Sequence, residues 1–250
     1  MSLRVETPVT FLCLPCAGAS ASPMLAWRRL LPPWIDVRPI ELPGRGARLG
    51  EPLVDDFTRL VERLAQEHAD ALRGPHALFG HSMGALLALG LARHAQRHGH
   101  AEPRALFACA STAPSRRDPD RFASLACDDD ALTTELRSQG GTPDEILANP
   151  ELRRLTLDTL RADFKVCASF AAPAGRSTMP VHVFGGRSDR IPPADLEAWR
   201  AETTGSFSLD WFDGNHFFIR QQAASVLALI AHRLGAVVMP QTLEPEELSR

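Results

Sequence analysis

The chain has 250 residues, 44% hydrophobic and 23% charged, with a formal net charge of -3. That length and balance point to one domain carrying an insertion, supply apolar matter for a sizeable core, and exclude global disorder. A slightly acidic chain is also no candidate for a nucleic-acid binder that works by neutralising phosphates, which leaves small molecules and proteins as partners.

At the N-terminus, Arg4, the apolar stretch Val9 to Leu14 and Ala17-Gly18-Ala19 loosely imitate a signal peptide. Glu6 cancels the leading charge and Pro15 interrupts a short apolar run, so a mature cytoplasmic N-terminus is expected. Nowhere do about 18 apolar residues follow one another, so no membrane span is expected. The five cysteines, Cys13, Cys16, Cys109, Cys127 and Cys167, form an odd set without framework spacing, which fits a reducing compartment. Cys13-x-x-Cys16 has no second Cys/His pair at metal spacing, so no metal site is expected.

Short apolar runs then recur between helical patterns: Val9 to Leu14, Val37 to Leu42, Ala77 to Phe79, Ala105 to Ala110, Val181 to Phe184 and Ser208 to Phe212. Such alternation predicts a mostly parallel sheet with helices on both faces. Phe57 to Leu72 reads as an amphipathic helix, and Ala85 to His98, apolar nearly all round, as a helix buried against the sheet. From about 111 to 174 the alternation stops. Helical patterns at Asp129 to Arg137, Pro143 to Leu147 and Glu151 to Phe170 suggest a lid, the alternative being an ordinary helical decoration. Residues 1–235 are therefore expected to form one domain, and 236–250 a polar, Pro-containing tail.

Gly80-His81-Ser82-Met83-Gly84 lies between the strand ending at Phe79 and the helix starting near Ala85, the setting of a G-x-S-x-G nucleophile elbow. A bare match arises by chance in about one chain in ten of this length; the strand-to-helix setting makes it more specific. The glycines permit a sharp turn, so that the Ser82 hydroxyl stands at the top of the sheet. Partners should follow in the order Ser, acid, His. Asp189 lies just after the strand Val181 to Phe184, and His216 between the last strand and the last helix. His216 would take the Ser82 proton and Asp189 would fix the imidazole tautomer, with Asp213 as an alternative acid. The backbone N–H groups of Met83 and Ala17 are the expected oxyanion hole, Ala17 lying in a cluster of small residues after the first strand. Together these features predict an α/β-hydrolase fold with Ser82, Asp189 and His216 as a catalytic triad.

Six segments carry a further resemblance: Leu14-Pro15-Cys16-Ala17-Gly18-Ala19-Ser20, Glu41-Leu42-Pro43-Gly44-Arg45-Gly46-Ala47-Arg48, the elbow itself, Leu160-Arg161-Ala162-Asp163-Phe164, Gly185-Gly186-Arg187-Ser188-Asp189 and Gly214-Asn215-His216-Phe217-Phe218. With them the chain, up to about Leu234, resembles the type II thioesterases that accompany nonribosomal peptide and polyketide synthases. It departs from that family at Cys16, where an aromatic residue or histidine is frequent, and at Ala19, where glycine is common. The resemblance implies hydrolysis of misplaced acyl groups from the phosphopantetheine arm of carrier proteins, in the cytoplasm, by a monomer needing no metal or bound cofactor. The insertion would be the family's lid. Arg45, Arg48, Arg116, Arg117 and Arg121 are candidate contacts for an acidic carrier protein. A carboxylesterase, haloperoxidase-like enzyme or acyltransferase on the same scaffold, and a non-catalytic carrier-binding protein, stay open as alternatives.

Overall fold

The computed structural model describes residues 8–171 and 175–238. Six strands, β1 (Val9–Leu14), β2 (Ile35–Pro39), β3 (His76–His81), β4 (Leu106–Cys109), β5 (Val181–Gly186) and β6 (Phe207–Phe212), form one sheet in the order β2-β1-β3-β4-β5-β6. Every pairing is parallel. A parallel sheet needs cover on both faces, and the strand sequences supply two apolar faces in alternation. In β1, Leu12 and Leu14 face one core while Val9, Phe11 and Cys13 face the other; in β4, Leu106 and Ala108 oppose Phe107 and Cys109.

The first core is covered by α1 (Phe57–Glu67), α2 (Ala69–Arg73) and α3 (Met83–Arg97). The single helix expected over Phe57 to Leu72 is two, because the backbone at His68 leaves the helical region (φ -115°, ψ 24°) before the chain turns into α2. Helix α3 is buried nearly all round, as its composition requires. Between β4 and β5 run α4 (Pro119–Leu125), α5 (Asp129–Gln139), α6 (Asp144–Ala148) and α7 (Pro150–Ala168). Asp118, Asp128 and Asn149 cap α4, α5 and α7 with side-chain oxygens that accept first-turn N–H groups. Helix α4 escaped the periodicity reading because none of its seven residues is buried. Ala126, Leu132, Leu136, Leu147, Leu157, Leu160 and Phe164 give the insertion a small core of its own. Helix α7 belongs to both layers, since Val166 and Cys167 enter the sheet's core.

After β5 come α8 (Pro193–Glu197), α9 (Phe218–Gln221) and α10 (Ala223–Val238). Val226, Leu227, Ile230 and Leu234 of α10 cover the second core together with Met24 and Trp27. Ala236 to Val238, expected to begin a tail, finish α10; residues 239–250, like Arg4, Glu6 and Ala174, lie outside the described residues. Among the described residues no helix is long and apolar enough to cross a membrane. The six-stranded sheet covered on both faces is the core of an α/β-hydrolase fold.

Two expectations follow from packing and from buried histidines. A Cβ on Gly90 of α3 would lie 2.7 Å from Val61 Cγ2 and 2.8 Å from Phe57 Cζ. The gain in helix propensity, up to about 1 kcal/mol, is smaller than the overpacking cost of about 1–3 kcal/mol, so Gly90→Ala should lower the urea midpoint. An unchanged or raised midpoint would mean that α1 yields freely. His76, His81 and His182 are buried in β3 and β5, and burial lowers all three, His81 to about 3 and His182 to about 4. The unfolded chain takes up protons below about pH 6.5 that the native state refuses, so their cost is absent above that pH and grows as pH falls toward the folded values. The urea midpoint should drop between pH 7.5 and 5, and less steeply in His182→Gln.

Candidate active site

In a sheet of order 2-1-3 the chain reverses direction of winding between β1 and β3, and the crevice at the carboxyl ends of those strands is where ligands bind. The loop after β1 and Ser82 both lie there. The turn from β3 into α3 is made possible by two missing side chains: a Cβ on Gly80 would lie 2.1 Å from the carbonyl carbon of Gly84, and one on Gly84 would lie 2.4 Å from the Leu14 carbonyl oxygen. Between them Ser82 holds φ 54° and ψ -116°, a costly conformation for a residue with a side chain. The Ser82 N–H donates to the Cys109 carbonyl at 2.8 Å, which ties the turn to β4.

Asp189 and His216 come from the ends of β5 and β6. A Cβ on Gly186 would lie 2.7 Å from the carbonyl oxygens of Gly214 and Asn215, so glycine there lets the His216 loop close on β5. Asn215 holds the loop further, its side-chain oxygen accepting the Phe217 N–H at 2.9 Å and its carbonyl accepting the Phe218 N–H at 2.9 Å. His216 Nδ1 and Asp189 Oδ2 are 3.0 Å apart. Burial works to raise the Asp189 carboxyl, but hydrogen bonding and charge from His216, with the Arg190 N–H, outweigh it and hold it below the ordinary carboxylate range. Asp213, the alternative acid, pairs with Arg187 in an exposed position and is a turn residue.

Ser82, Met83, Ala17 and His216 all line one cavity of about 360 Å³, roofed by Phe122, Gln139 and Phe164 of the insertion. Asp189 stands behind His216. Neither the Ala17 nor the Met83 N–H donates to a partner among the described residues, and both residues line the cavity. No hydrogen bond joins the Ser82 hydroxyl to the His216 ring among the described residues, a looseness common before substrate binds. Cys16 also faces the cavity, but burial pushes its thiol up to about 11, so it stays protonated and is a poor rival nucleophile at neutral pH.

His81 is more than the variable position of the elbow. It is buried, and its Nε2 lies 2.9 Å from the His216 carbonyl oxygen. A carbonyl only accepts, so Nε2 carries the proton and the ring braces the His216 loop. Only its neighbour relation to Ser82 could have marked it in the sequence.

The arginines divide. Arg45 is buried and paired with Asp163, so it is no surface contact. Arg48 is engaged by Glu51 and Glu67, and Arg117 donates to the Cys167 carbonyl while covering the Phe122 and Phe170 rings. Arg121 pairs with Glu135. Arg116 and Arg190 are exposed at the cavity's edge; Arg190 was missed in the sequence because nothing but its place after Asp189 distinguishes it.

Residues 10–234 match the thioesterase domain family. Gramicidin S biosynthesis protein GrsT of Aneurinibacillus migulanus is 34% identical over 231 residues, 92% of this chain and 90% of its own. Among solved structures, ClbQ from the colibactin NRPS/PKS pathway superposes with a TM-score of 0.85 at 29% identity, covering 94% of this chain and 100% of that one. The type II thioesterase BorB from the borrelidin biosynthetic cluster gives 0.81 at 34% identity, covering 91% and 93%. With the sheet, the Ser82 turn and the Asp189–His216 pair described, these matches identify the chain as a member of the thioesterase domain family, hydrolases that act on thioesters.

Proposed function

We propose that the protein is a type II editing thioesterase, which frees acyl groups stalled on the phosphopantetheine arm of carrier proteins in a nonribosomal peptide or polyketide assembly line. The observation that carries this reading is the Asp189–His216 hydrogen bond beside Ser82 in a cavity that the insertion roofs. The Ser82 hydroxyl oxygen attacks the thioester carbonyl while His216 Nε2 takes its proton. Negative charge forms on the carbonyl oxygen, where the N–H groups of Ala17 and Met83 receive it, aided by the N-terminus of α3.

The C–S bond then breaks. A thiolate leaves more readily than an alkoxide or amide nitrogen, and the proton on His216 passes to it. Water, deprotonated by His216, attacks the acyl-serine and releases the acid. Asp189, kept ionised by its setting, steadies the imidazolium through both halves. Apart from the attacking water, every group in this sequence that is not substrate is a side chain or backbone N–H of the chain, and the pantetheine arrives with the substrate. The exposed guanidinium groups of Arg116 and Arg190 suit the arm's phosphate and the acidic face of a carrier protein.

Intact-mass measurement of acyl-loaded carrier proteins tests the reading. Wild-type protein should return the free phosphopantetheinyl carrier, and Ser82→Ala should leave the acyl group in place. Asp189→Asn should retain the fold and lose about 10³- to 10⁴-fold in kcat. A faster reaction with simple p-nitrophenyl esters than with any acyl-carrier protein would reject the thioesterase assignment in favour of an esterase. Arg116→Glu should raise KM for acyl-carrier protein by about 3- to 10-fold, corresponding to roughly 1 kcal/mol at a partly exposed charge contact. An equal effect on a free acyl-pantetheine would remove Arg116 from protein docking.

A further inference from the structure

Beneath the loop that carries Ala17 lies a group of charges that the reaction leaves unused. Asp163, from the C-terminal half of α7, is fully buried, and Arg45, from the segment after β2, is nearly so. The guanidinium grips the carboxylate with both arms, Nη1 to Oδ2 at 2.5 Å and Nη2 to Oδ1 at 2.7 Å. Oδ2 accepts a further bond from the Gly18 N–H at 2.7 Å. The desolvation of such a pair largely cancels its Coulomb gain, so stability alone gives little reason to keep it. An apolar filling, of the kind Leu157, Leu160 and Phe164 provide alongside, would serve that purpose. What an apolar side chain cannot do is accept the Gly18 N–H.

That bond bears directly on the neighbouring residue. The Gly18 N–H belongs to the peptide unit joined to Ala17 at its Cα, so fixing its direction restricts rotation about Ala17 and with it the aim of the Ala17 N–H. It also takes Gly18 out of competition as a donor, while Ala17 itself lines the cavity. The far end of the same loop is held from the same segment after β2: Glu41 accepts the Ala21 N–H at 3.0 Å and the Ser20 hydroxyl at 2.6 Å.

We propose that Asp163, gripped by Arg45, is a positioning residue of the oxyanion hole, holding Gly18 so that the Ala17 N–H meets the oxygen that becomes charged in the transition state. This rests on the thioesterase reading of the site. Two readouts separate positioning from mere support of the fold. One is the division between kcat and KM with an acyl-pantetheine thioester. The other is affinity for an acyl trifluoromethyl ketone, to which Ser82 Oγ adds reversibly while its proton passes to His216 and the ketone oxygen becomes the bound oxyanion.

Asp163→Asn should lower kcat by about 10- to 100-fold, leave KM within about twofold, and weaken the ketone by a similar factor. The pH profile of kcat/KM should keep its shape, because the Asp189–His216 pair is untouched. Arg45→Met with Asp163→Leu removes both charges at similar volume and guards against loss of folding in the single variant. It should give the same losses while melting as a cooperative unit. Either folded variant with kcat and ketone affinity within about twofold of wild type overturns the proposal, as does a rise in KM alone. Failure of both variants to fold, seen by circular dichroism, would assign the pair to stability and overturn it as well. Wild-type and Ser82→Ala proteins in the same assay distinguish these outcomes from failure of the thioesterase reading, in which the two would not differ.

Discussion

Strand β3 and helix α3 meet at a turn so tight that the backbone of Gly84 occupies the space a side chain on Gly80 would need, while the Leu14 carbonyl occupies the space of one on Gly84. This three-way approach of backbones fixes where Ser82 stands, brings the N-terminus of α3 beneath it, and sets β1 close enough for the following loop to supply a second N–H. The distortion at Ser82 is tolerated because the surrounding sheet over-determines it. Hydrogen bonding of the Ser82 N–H to β4 and burial of α3 in the main core hold the turn from both sides.

The rest of the site is assembled on that fixed point by loops that touch one another through backbone. Gly186 lets the His216 loop lie against β5, and His81, next to Ser82 in the chain, reaches the His216 carbonyl. The loops that carry Ser82 and His216 therefore share a partly buried contact. The bond needs only a proton on Nε2, and burial, reinforced by the nearby His216, pushes the ring down to about 3, so His81 makes it as the neutral Nε2–H tautomer across the working pH range.

The insertion contributes in two ways. It roofs the cavity with Phe122, Gln139 and Phe164, and through α7 it sends a buried carboxylate to the loop after β1. Because α7 packs in both the insertion's core and the sheet's core, the roof and the loop that carries Ala17 are mechanically joined. Two of the five arginines singled out in the sequence serve this internal architecture, Arg45 at Asp163 and Arg117 over two phenylalanine rings, while Arg48 is held near the surface between Glu51 and Glu67. Charge in the sequence marks a guanidinium; only its neighbours tell whether it faces a partner or the interior.

Strand positions, the elbow, the order of Ser82, Asp189 and His216 and the helical character of the insertion were legible in the amino-acid sequence, because each depends on local periodicity or on short patterns with fixed stereochemistry; the exception is β2, expected over Val37 to Leu42 but formed by Ile35–Pro39, because the buried Ile40 and Leu42 extend the apolar pattern past the strand's end. Helix α4 was not, since its seven residues turn only the half-buried Phe122 and Leu125 inward, too few to set a period, and neither was the break at His68, where apolar spacing continues through a change of backbone. Tertiary structure alone decided which atoms meet across long chain separations: Asp163 with Arg45 and Gly18, His81 with the His216 carbonyl, Arg190 at the cavity's edge. Such contacts depend on the distance between elements far apart in the chain, a quantity that no local pattern of residues encodes.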